Sequence, residues 1–461
     1  MNTVVDRQGA LARGLGEIRT QFQVPAQFPQ EVLAAAESAA AKPITGHQDW
    51  TDRSFATLDP QGSTDLDQAF EIRRDGQDIL LNYAIADVAL FVADKDPVDA
   101  EAWLRGTTIY LPDGKASLYP RALSEGAASL LPNVDRPAVV FAVRVGPDGK
   151  SKLDGATRAI IQSRAKLAYE TVTPADLPDG FIDLYRRILS AETVRGAERV
   201  DAPEQEIVTD SAGNSTLAFR PQLESEQQNS ALSLAANLAI ADVLMAHHTG
   251  LFRVMPEPDE RAIRRLRHSA KALGLAWPKP MALADFEKSL TEGDPRHNAF
   301  RAAVRRAGPR ASYAPYQDGV VPWHSAMAAT YAHATAPLRR LADRYVIEAA
   351  LAIANGGGVD AGLQAVFGQL PTVMAKADDR AAQIDRAVLD LAEAVMLQGC
   401  EGRTFAAVVT DIDERGARIQ LADPAVIARA DSKDTIPGDE IQVQLQRVDV
   451  GHRQVIFERA R

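Results

Sequence analysis

The sequence is nearly free of cysteine, since Cys400 is the single thiol among 461 residues. One cysteine excludes an internal disulfide and any zinc site built from several thiolates. The chain also lacks the run of about 18 uninterrupted apolar residues that a membrane span needs. Its N-terminal stretch MNTVVDRQGALARGLGEIRTQ is polar and charged where a secretory signal has its apolar core. These absences predict a cytoplasmic protein with no membrane contact.

Lysine is scarce, because only 11 of the 51 basic residues are lysines, which leaves 51 − 11 = 40 arginines. The net charge of −11 argues against non-specific coating of nucleic acid, which needs positive surface. The arginines nevertheless cluster at 261–268, 301–310 and 339–344. Arginine forms a better fork for phosphate than lysine does, but a coding preference for arginine on solvated helix faces explains the clusters equally well.

Hydrophobic periodicity divides the chain into three parts. Residues 1 to about 45 predict two helices, which form either part of a helix-turn-helix module or a helical collar on the next domain. From about residue 52 the alternation becomes strand-like, and it predicts hairpins that turn at Asp75-Gly76 and at 146–149. The GKS sequence at 149–151 is not a P-loop, because Arg144 stands where that motif has glycine.

The later part of the chain predicts helices followed by a small barrel. Apolar stripes indicate a helix from Leu338 to about Asn355 and a long helix over roughly 370–397. About five short strands follow, with the turn residues typical of an OB-type barrel. We therefore predict an α+β multidomain protein with a helical N-terminal region (1–50), a mixed α/β domain (51–397) and a C-terminal OB-fold β-barrel (398–461).

The stretch TLDPQGSTDLDQAF, residues 57–70, concentrates acidic residues. Asp65 and Asp67 project from one face of an extended chain, and the Pro-Gln-Gly-Ser turn at 60–63 can return Asp59 to their side. Three carboxylates that share so small a space require a cation, and oxygen ligands select Mg²⁺ or Mn²⁺. The alternative is a solvated acidic turn. An EF-hand is excluded because its spacing and distal glutamate are absent.

Two further stretches indicate contacts with a phosphate and a base. In YAHATAPLRRLADRY, residues 331–345, Thr335 or Ala336 is expected to cap a helix with Arg339 just inside it, which is a site suited to an anion. SRAKLAYE presents Tyr169 where a base can stack, although such a tyrosine is by itself more often part of the packing.

Six motifs in this order resemble the catalytic domain of the ribonuclease II and ribonuclease R (RNB) family of 3'→5' exoribonucleases. They are TLDPQGSTDLDQAF, YAIADVALFV, YLPDGKASLYPRALSEGAASLLPNVDRPAVVFAV, SRAKLAYE, GLFRV and YAHATAPLRRLADRY. The resemblance covers roughly residues 52–397 and predicts an RNB-type fold for the mixed α/β domain. An ordered set of motifs is far more specific than any one of them, so it favours a functional site over a solvated acidic turn.

The resemblance also implies roles for single residues. Asp59, Asp65 and Asp67 match three of the family's four active-site aspartates, which hold Mg²⁺. Mn²⁺ is the expected alternative metal. We expect the side-chain oxygen of Gln68 to be the fourth metal ligand. Arg339 matches the arginine that stabilises charge on the phosphate. The assigned substrate-binding residues are Tyr169, which clamps the 3'-terminal nucleotide, and Arg340.

The chain departs from the family pattern at several positions. Gln68 stands where the family usually has the fourth aspartate, which predicts a site with weaker metal affinity. Ala336 replaces the motif serine, and Ser230 and Ala231 stand where relatives carry paired glutamates, so discrimination between RNA and DNA is expected to differ. About 50 N-terminal residues are too few to contain the family's two cold-shock domains.

The resemblance therefore predicts a Mg²⁺-dependent, processive 3'→5' exoribonuclease that degrades single-stranded RNA to nucleoside 5'-monophosphates. It implies neither a membrane nor an obligatory protein partner. The alternative is a catalytically silent RNA-binding protein that keeps the fold and has lost turnover through Gln68 and the missing glutamate. A third hypothesis, that the protein is a helix-turn-helix DNA regulator, is supported by the N-terminal residues alone.

Overall fold

The computed structural model describes residues 9–197, 204–209, 215–220, 222–291, 295–308, 310–413, 416–421, 423–431 and 435–460. The helices in this part of the chain are α1 (Ala10–Gln21), α2 (Gln30–Ala40), α3 (Pro97–Arg105), α4 (Phe181–Arg195), α5 (Glu224–Ala246), α6 (Glu260–Ala272), α7 (Leu283–Lys288), α8 (Pro295–Ala307), α9 (Leu341–Ala354) and α10 (Ala361–Leu397). The strands are β1 (Gln48–Asp59), β2 (Gln68–Asp75), β3 (Asp78–Ala86), β4 (Ile109–Leu111), β5 (Gly114–Ala116), β6 (Asp135–Val145), β7 (Ser151–Ala168), β8 (Glu204–Thr209), β9 (Ser215–Arg220), β10 (Leu251–Val254), β11 (Ser312–Pro315), β12 (Trp323–His324), β13 (Ala329–Thr330), β14 (Thr404–Asp413), β15 (Gly416–Leu421), β16 (Ile427–Asp431), β17 (Glu440–Asp449) and β18 (Gln454–Arg459).

Strands β1, β2, β3, β6 and β7 form a closed barrel. Both predicted hairpins are present, because β2 pairs with β3 across Asp75 and Asp78, and β6 pairs with β7 across Val145 and Ser151. Strand β1 runs parallel to β7 and antiparallel to β2. The end of β1, the end of β7 and the start of β2 therefore meet at one end of the barrel, which brings the acidic loop beside Tyr169.

Helix α5 crosses the barrel as the central core helix. It is apolar on most sides, packs against β7, α4 and α9, and buries residues along its whole length. It is long and apolar enough to cross a membrane, yet 67% of its most apolar window is buried inside the protein. Burial against the barrel explains its apolar composition.

The structure corrects the predicted starts of two helices. Helix α9 begins at Leu341 instead of Leu338, and Arg340 before it has extended backbone angles. The backbone N–H of Leu338 donates to Asp67, and Thr107 pairs with Arg340 as an isolated bridge, so tertiary hydrogen bonds keep this segment out of the helix. Helix α10 begins at Ala361 instead of about 370, because an aspartate at 360 caps it.

The C-terminal region forms a second closed barrel, in the strand order β14-β15-β16-β18-β17. Its five strands match the five that the turn spacing predicts. Its core is continuous with Ala392, Met396 and Leu397 at the end of α10 and with Leu217 of β9. The small barrel is therefore anchored on the mixed α/β domain by apolar contacts.

The N-terminal helices pack as a collar. Leu11, Leu15 and Ile18 of α1 share an apolar cluster with the β4–β5 hairpin and α10. Helix α1 lies close against α10 at Gly14, since a Cβ atom added at this glycine would lie 2.5 Å from the Leu391 side chain. The part of the first predicted helix before residue 9 lies outside the described residues. The barrel itself begins at Gln48, slightly before the predicted boundary at 50.

Candidate active site

The acidic loop between β1 and β2 is held by side chains from other elements. The predicted turn is present, because Ser63 N–H donates to Pro60 O at 3.0 Å. The Lys166 ammonium donates to the carbonyl oxygens of Gln61 and Ser63, at 3.0 and 2.6 Å. Ser129 then fixes the far side of the loop through the Thr64 carbonyl and the Leu66 N–H, each at 2.8 Å. The loop is thus fixed at both ends.

Asp59 and Asp67 come together as a buried pair of carboxylates. Burial, followed by repulsion from Asp67, raises the pKa of Asp59 to about 8, although Arg339 opposes the shift. Burial likewise raises the pKa of Asp67 to about 7 against the lowering effect of Arg339. One carboxylate oxygen of Asp59, Oδ2, is buried without a hydrogen-bond partner in the structure. Two such groups favour a cation or protons between them.

Arg339 lies beside this pair. Its Nε is 3.5 Å from Asp67 Oδ2, and its side chain is 45% exposed. Asp67 Oδ1 accepts the Leu338 N–H at 2.7 Å, so the segment that carries Arg339 is tied directly to the acidic loop. The expected helix N-terminus is not the origin of the positive charge here, because α9 starts at Leu341. The Arg339 guanidinium provides most of it, with smaller contributions from Arg340 and Lys166.

Tyr169 follows β7 at the same end of the barrel. Its backbone N–H donates to Asp59 O at 3.1 Å, and its hydroxyl accepts from Asn229 Nδ2 at 2.8 Å. Burial, with repulsion from Asp59 next, raises the pKa of Tyr169 above its usual value. The neutral ring is therefore held next to the carboxylates, in a position where a base can stack on it.

Asp65 is engaged by the chain itself. The Lys115 ammonium lies 2.7 Å from Asp65 Oδ1, and the Tyr110 hydroxyl donates to Asp65 Oδ2 at 3.2 Å. Among the described residues, no group of three His, Cys, Asp or Glu side chains is placed to hold a metal ion. The structure therefore brings Asp59 and Asp67 together with Arg339 and leaves Asp65 paired elsewhere, and its role as a metal ligand stays a prediction.

Gln68 and Arg340 are also engaged. Gln68 Oε1 accepts the Tyr83 hydroxyl at 2.5 Å. The Arg340 guanidinium donates to both carboxylate oxygens of Asp343, at 3.0 and 2.7 Å. Burial disfavours the charge of Arg340, but Asp343 holds its pKa above the usual value. The predicted metal-ligand role of Gln68 and the substrate-binding role of Arg340 remain predictions.

The donor set fits a divalent cation at Asp59 and Asp67. Carboxylate oxygens are hard ligands, and the unpartnered Asp59 Oδ2 lies beside a second buried carboxylate whose charge opposes its own. A bound cation would offset this repulsion.

A cavity of about 1130 Å³ opens next to the segment that carries Arg339. Thr107 lines it and donates its hydroxyl to Arg339 O at 2.8 Å. Arg253 on another wall pairs with Asp378 at 2.9 Å, and the rim includes Trp323, which is 44% exposed. Guanidinium groups and an exposed aromatic ring are features that bind single-stranded nucleic acid, but acidic side chains outnumber the arginines in this lining, namely Glu257, Glu287, Asp378, Asp379 and Asp385.

Sequence reasoning missed several residues of this site, namely Tyr83, Tyr110, Lys115, Lys166 and Asn229. Lys166 lies within the SRAKLAYE motif and could have been considered with Tyr169. Tyr110 and Lys115 belong to three-residue strands that carry no periodic pattern. Their contact with Asp65 follows from the fold alone.

In the absence of metal, we expect Asp59 and Asp67 to lower the free energy of unfolding as the pH rises. The pKa values of Asp59 and Asp67 lie above the ordinary 3.8, so the folded chain binds protons that the unfolded chain releases. This stabilisation is complete below the unfolded value and is lost as the pH passes about 7 and 8. Each unit by which a pKa is raised on folding changes the free energy of unfolding by about 1.4 kcal/mol across this pH range.

Urea unfolding in EDTA across this range measures the slope. Asp59→Asn, which cannot ionise, should flatten it, and added Mg²⁺ should restore stability at high pH. A wild-type slope in EDTA that is no more negative than the slope of Asp59→Asn would contradict this assignment.

A barrel with buried carboxylates and an arginine at one end, joined to a second five-stranded barrel, defines a two-barrel protein with an acidic site at the end of the first barrel. The family described as "RNB domain" matches residues 47–353, and "RNase II-type exonuclease C-terminal S1 domain" matches 403–460. The chain belongs to the RNB family. The resemblance given by the six motifs and the predicted fold class are both confirmed.

Relatives and solved structures agree with this membership. A protein named Ribonuclease R from Aquifex aeolicus is 26% identical over 436 residues, which cover 88% of this chain and 61% of that protein. Ribonuclease R of Escherichia coli K12 is 26% identical over 439 residues, 87% of this chain and 53% of its own length. The chain thus spans roughly half to three fifths of these relatives. The structure of Mycoplasma genitalium RNase R with ribose-methylated single-stranded RNA has a TM-score of 0.86 at 19% identity, covering 98% of this chain and 78% of that one.

Proposed function

We propose that the protein is a Mg²⁺-dependent 3'→5' exoribonuclease that degrades single-stranded RNA processively to nucleoside 5'-monophosphates in the cytoplasm. The buried Asp59–Asp67 pair with Arg339 beside it is the observation that carries the proposal. The relatives named Ribonuclease R support the substrate, the family description "RNase II-type exonuclease C-terminal S1 domain" supports attack from an end, and the polarity is what the family resemblance implies.

The residues of the site have distinct tasks in this reaction. Arg339 is half exposed next to Asp67, so its remaining donors are free to contact a phosphate oxygen and offset the charge that develops there. Tyr169 offers its ring to the terminal base, while Asn229 and the Asp59 carbonyl fix its position. A Mg²⁺ ion held by Asp59 and Asp67 would supply a second positive centre and activate a water molecule.

The RNA that leads away from the site is proposed to lie in the adjoining cavity. Thr107 joins the cavity wall to Arg339 through its hydrogen bond, so a strand bound there can continue to the carboxylates. Arg253 would have to exchange Asp378 for the RNA backbone, Trp323 would contact the bases, and cations would have to screen the acidic side chains of the lining.

Incubation of the purified protein with Mg²⁺ and a 5'-labelled single-stranded RNA tests the proposal at nucleotide resolution. A descending ladder that collapses to a short 5' fragment is expected, with Asp67→Asn as the inactive control and an identical DNA oligomer as the specificity control. RNA that is bound but stays intact would favour the silent RNA-binding alternative. A yeast protein of related fold, Ssd1, is described as a pseudonuclease and has a TM-score of 0.66 at 16% identity.

Gln68→Asp should lower the Mg²⁺ concentration needed for half-maximal activity. The substitution restores a negative charge beside Asp67 and replaces an amide oxygen that the Tyr83 hydroxyl already occupies. We expect a shift of about three- to tenfold, equivalent to roughly 1 kcal/mol. Rates measured over a Mg²⁺ series, with Gln68→Asn as the neutral control, check the shift. An unchanged midpoint would show that position 68 does not influence the cation.

A further inference from the structure

Lys115 is the feature of the site that the proposed function leaves unexplained. It lies on β5, directly opposite Tyr110 of β4 in the register of the hairpin. Residues that face each other across an antiparallel pair project to the same side. Both side chains reach Asp65, the lysine at 2.7 Å and the tyrosine at 3.2 Å, so the hairpin occupies both carboxylate oxygens of Asp65.

The ion pair between Lys115 and Asp65 is shielded from solvent. The exposed fractions are 21% for the Lys115 side chain, 14% for Asp65 and 12% for Glu125, which lies 3.1 Å from the ammonium. The other oxygen of Glu125 is bound by Arg121 at 2.9 Å. Arg121 is 83% exposed and shares Glu125 with Lys115, so the lysine is divided between two carboxylates and makes its shorter contact with Asp65. A partly buried ion pair of this kind is screened less by salt than a surface pair is.

The hairpin that carries Lys115 is itself fixed. At its tip, Asp113 pairs with Arg19 of α1 at 2.7 Å, and Ile109 and Leu111 are buried in the cluster shared with α1 and α10. At its base, Thr107 bridges to Arg340. The ammonium is therefore held against Asp65 by a preorganised scaffold.

We propose that Lys115 takes the place of a metal ion as the partner of Asp65, so that the protein binds one divalent cation, at Asp59 and Asp67. Lys115 acts as a positioning residue: it neutralises Asp65, orients the acidic loop and keeps that carboxylate out of the cation's shell. The Tyr83 hydroxyl likewise occupies the amide oxygen of Gln68. This inference rests on the proposed function in that the cation belongs to the proposed reaction.

Mn²⁺ binding to the full chain, measured by titration calorimetry without RNA, tests the inference independently of activity. In the wild-type protein we expect one Mn²⁺ per chain, lost in Asp59→Asn. Asp65→Asn should change the dissociation constant by less than about threefold in the wild-type background but by at least about tenfold in the Lys115→Met background. The reason is that Asp65 becomes a ligand only when the lysine is removed.

Two further variants separate this role from a general effect on folding or charge. Lys115→Arg should keep the wild-type pattern, because a guanidinium can still pair with Asp65. Lys150→Met removes a lysine that is 85% exposed and should also leave Mn²⁺ binding unchanged. Thermal unfolding of every variant confirms that the fold persists.

Equal effects of Asp65→Asn in the two backgrounds would overturn the inference, as would two Mn²⁺ ions per wild-type chain or none. If the expected double-mutant pattern appears in a protein that leaves RNA intact, the assignment of Lys115 stands and the proposed exoribonuclease function fails. If the protein degrades RNA but its Mn²⁺ affinity depends on Asp65 even when Lys115 is present, the proposed exoribonuclease function stands and the assignment of Lys115 fails.

Discussion

Replacing Asp67 by Asn is expected to slow RNA hydrolysis at least about 1000-fold while the affinity for single-stranded RNA stays within about threefold. Asp67 is the carboxylate that joins three parts of the site: the acidic loop, the Leu338 backbone and Arg339. An asparagine keeps an oxygen that accepts the Leu338 N–H, so the loop geometry is retained. It removes the negative charge that a cation and the guanidinium both require.

Single-turnover rates on a 5'-labelled RNA measure the first quantity, and fluorescence anisotropy with the same RNA measures the second. Asp94→Asn is the matched control, because it makes the same chemical change at a side chain that is 70% exposed. A loss of less than about tenfold in Asp67→Asn would remove Asp67 from the reaction. A parallel loss of RNA binding would assign it to substrate binding instead.

The fold and half of this site follow from local sequence patterns. The loop turn at 60–63 and the two hairpins are fixed by turn residues between strand-like segments, and the barrel closure then brings Asp59 beside Tyr169. The motif order identifies the family because it samples many positions at once. The turn and the hairpins need no knowledge of contacts between distant residues, whereas the barrel closure joins β1 to β7, which are far apart in the sequence.

The remainder of the site depends on contacts that no local pattern encodes. The N-terminal turn of α9 is lost to a hydrogen bond between Leu338 and Asp67, which are 271 residues apart. The cap expected at Thr335 or Ala336 favours a helix there, and the tertiary contact overrides it. Lys115 likewise meets Asp65 from 50 residues away, through a hairpin too short to show a period. Charge compensation inside the site is therefore visible only in the structure.

Arg340→Leu is expected to destabilise the protein by about 3–5 kcal/mol, whereas Arg339→Leu should cost less than about 1 kcal/mol. Arg340 forms a two-pronged pair with Asp343, whose side chain is fully buried. Removing the guanidinium leaves that carboxylate in the core with only the Ala336 N–H, which donates to it at 2.8 Å. Arg339 is 45% exposed, and its partner Asp67 keeps the Leu338 N–H and can take up a proton once the guanidinium is removed, because burial already raises the pKa of Asp67 to about 7.

Urea unfolding of the two variants distinguishes their roles, and the double variant Arg340→Leu with Asp343→Asn provides the control. If Arg340→Leu destabilises the protein because the Asp343 carboxylate loses its partner, adding Asp343→Asn should recover part of the lost free energy of unfolding. The asparagine keeps an acceptor for the Ala336 N–H but carries no charge. RNA affinity should fall in Arg339→Leu and persist in the folded fraction of Arg340→Leu. A stable Arg340→Leu protein with weakened RNA binding would instead support the substrate-binding role predicted for Arg340, since its guanidinium would then have to exchange Asp343 for a phosphate.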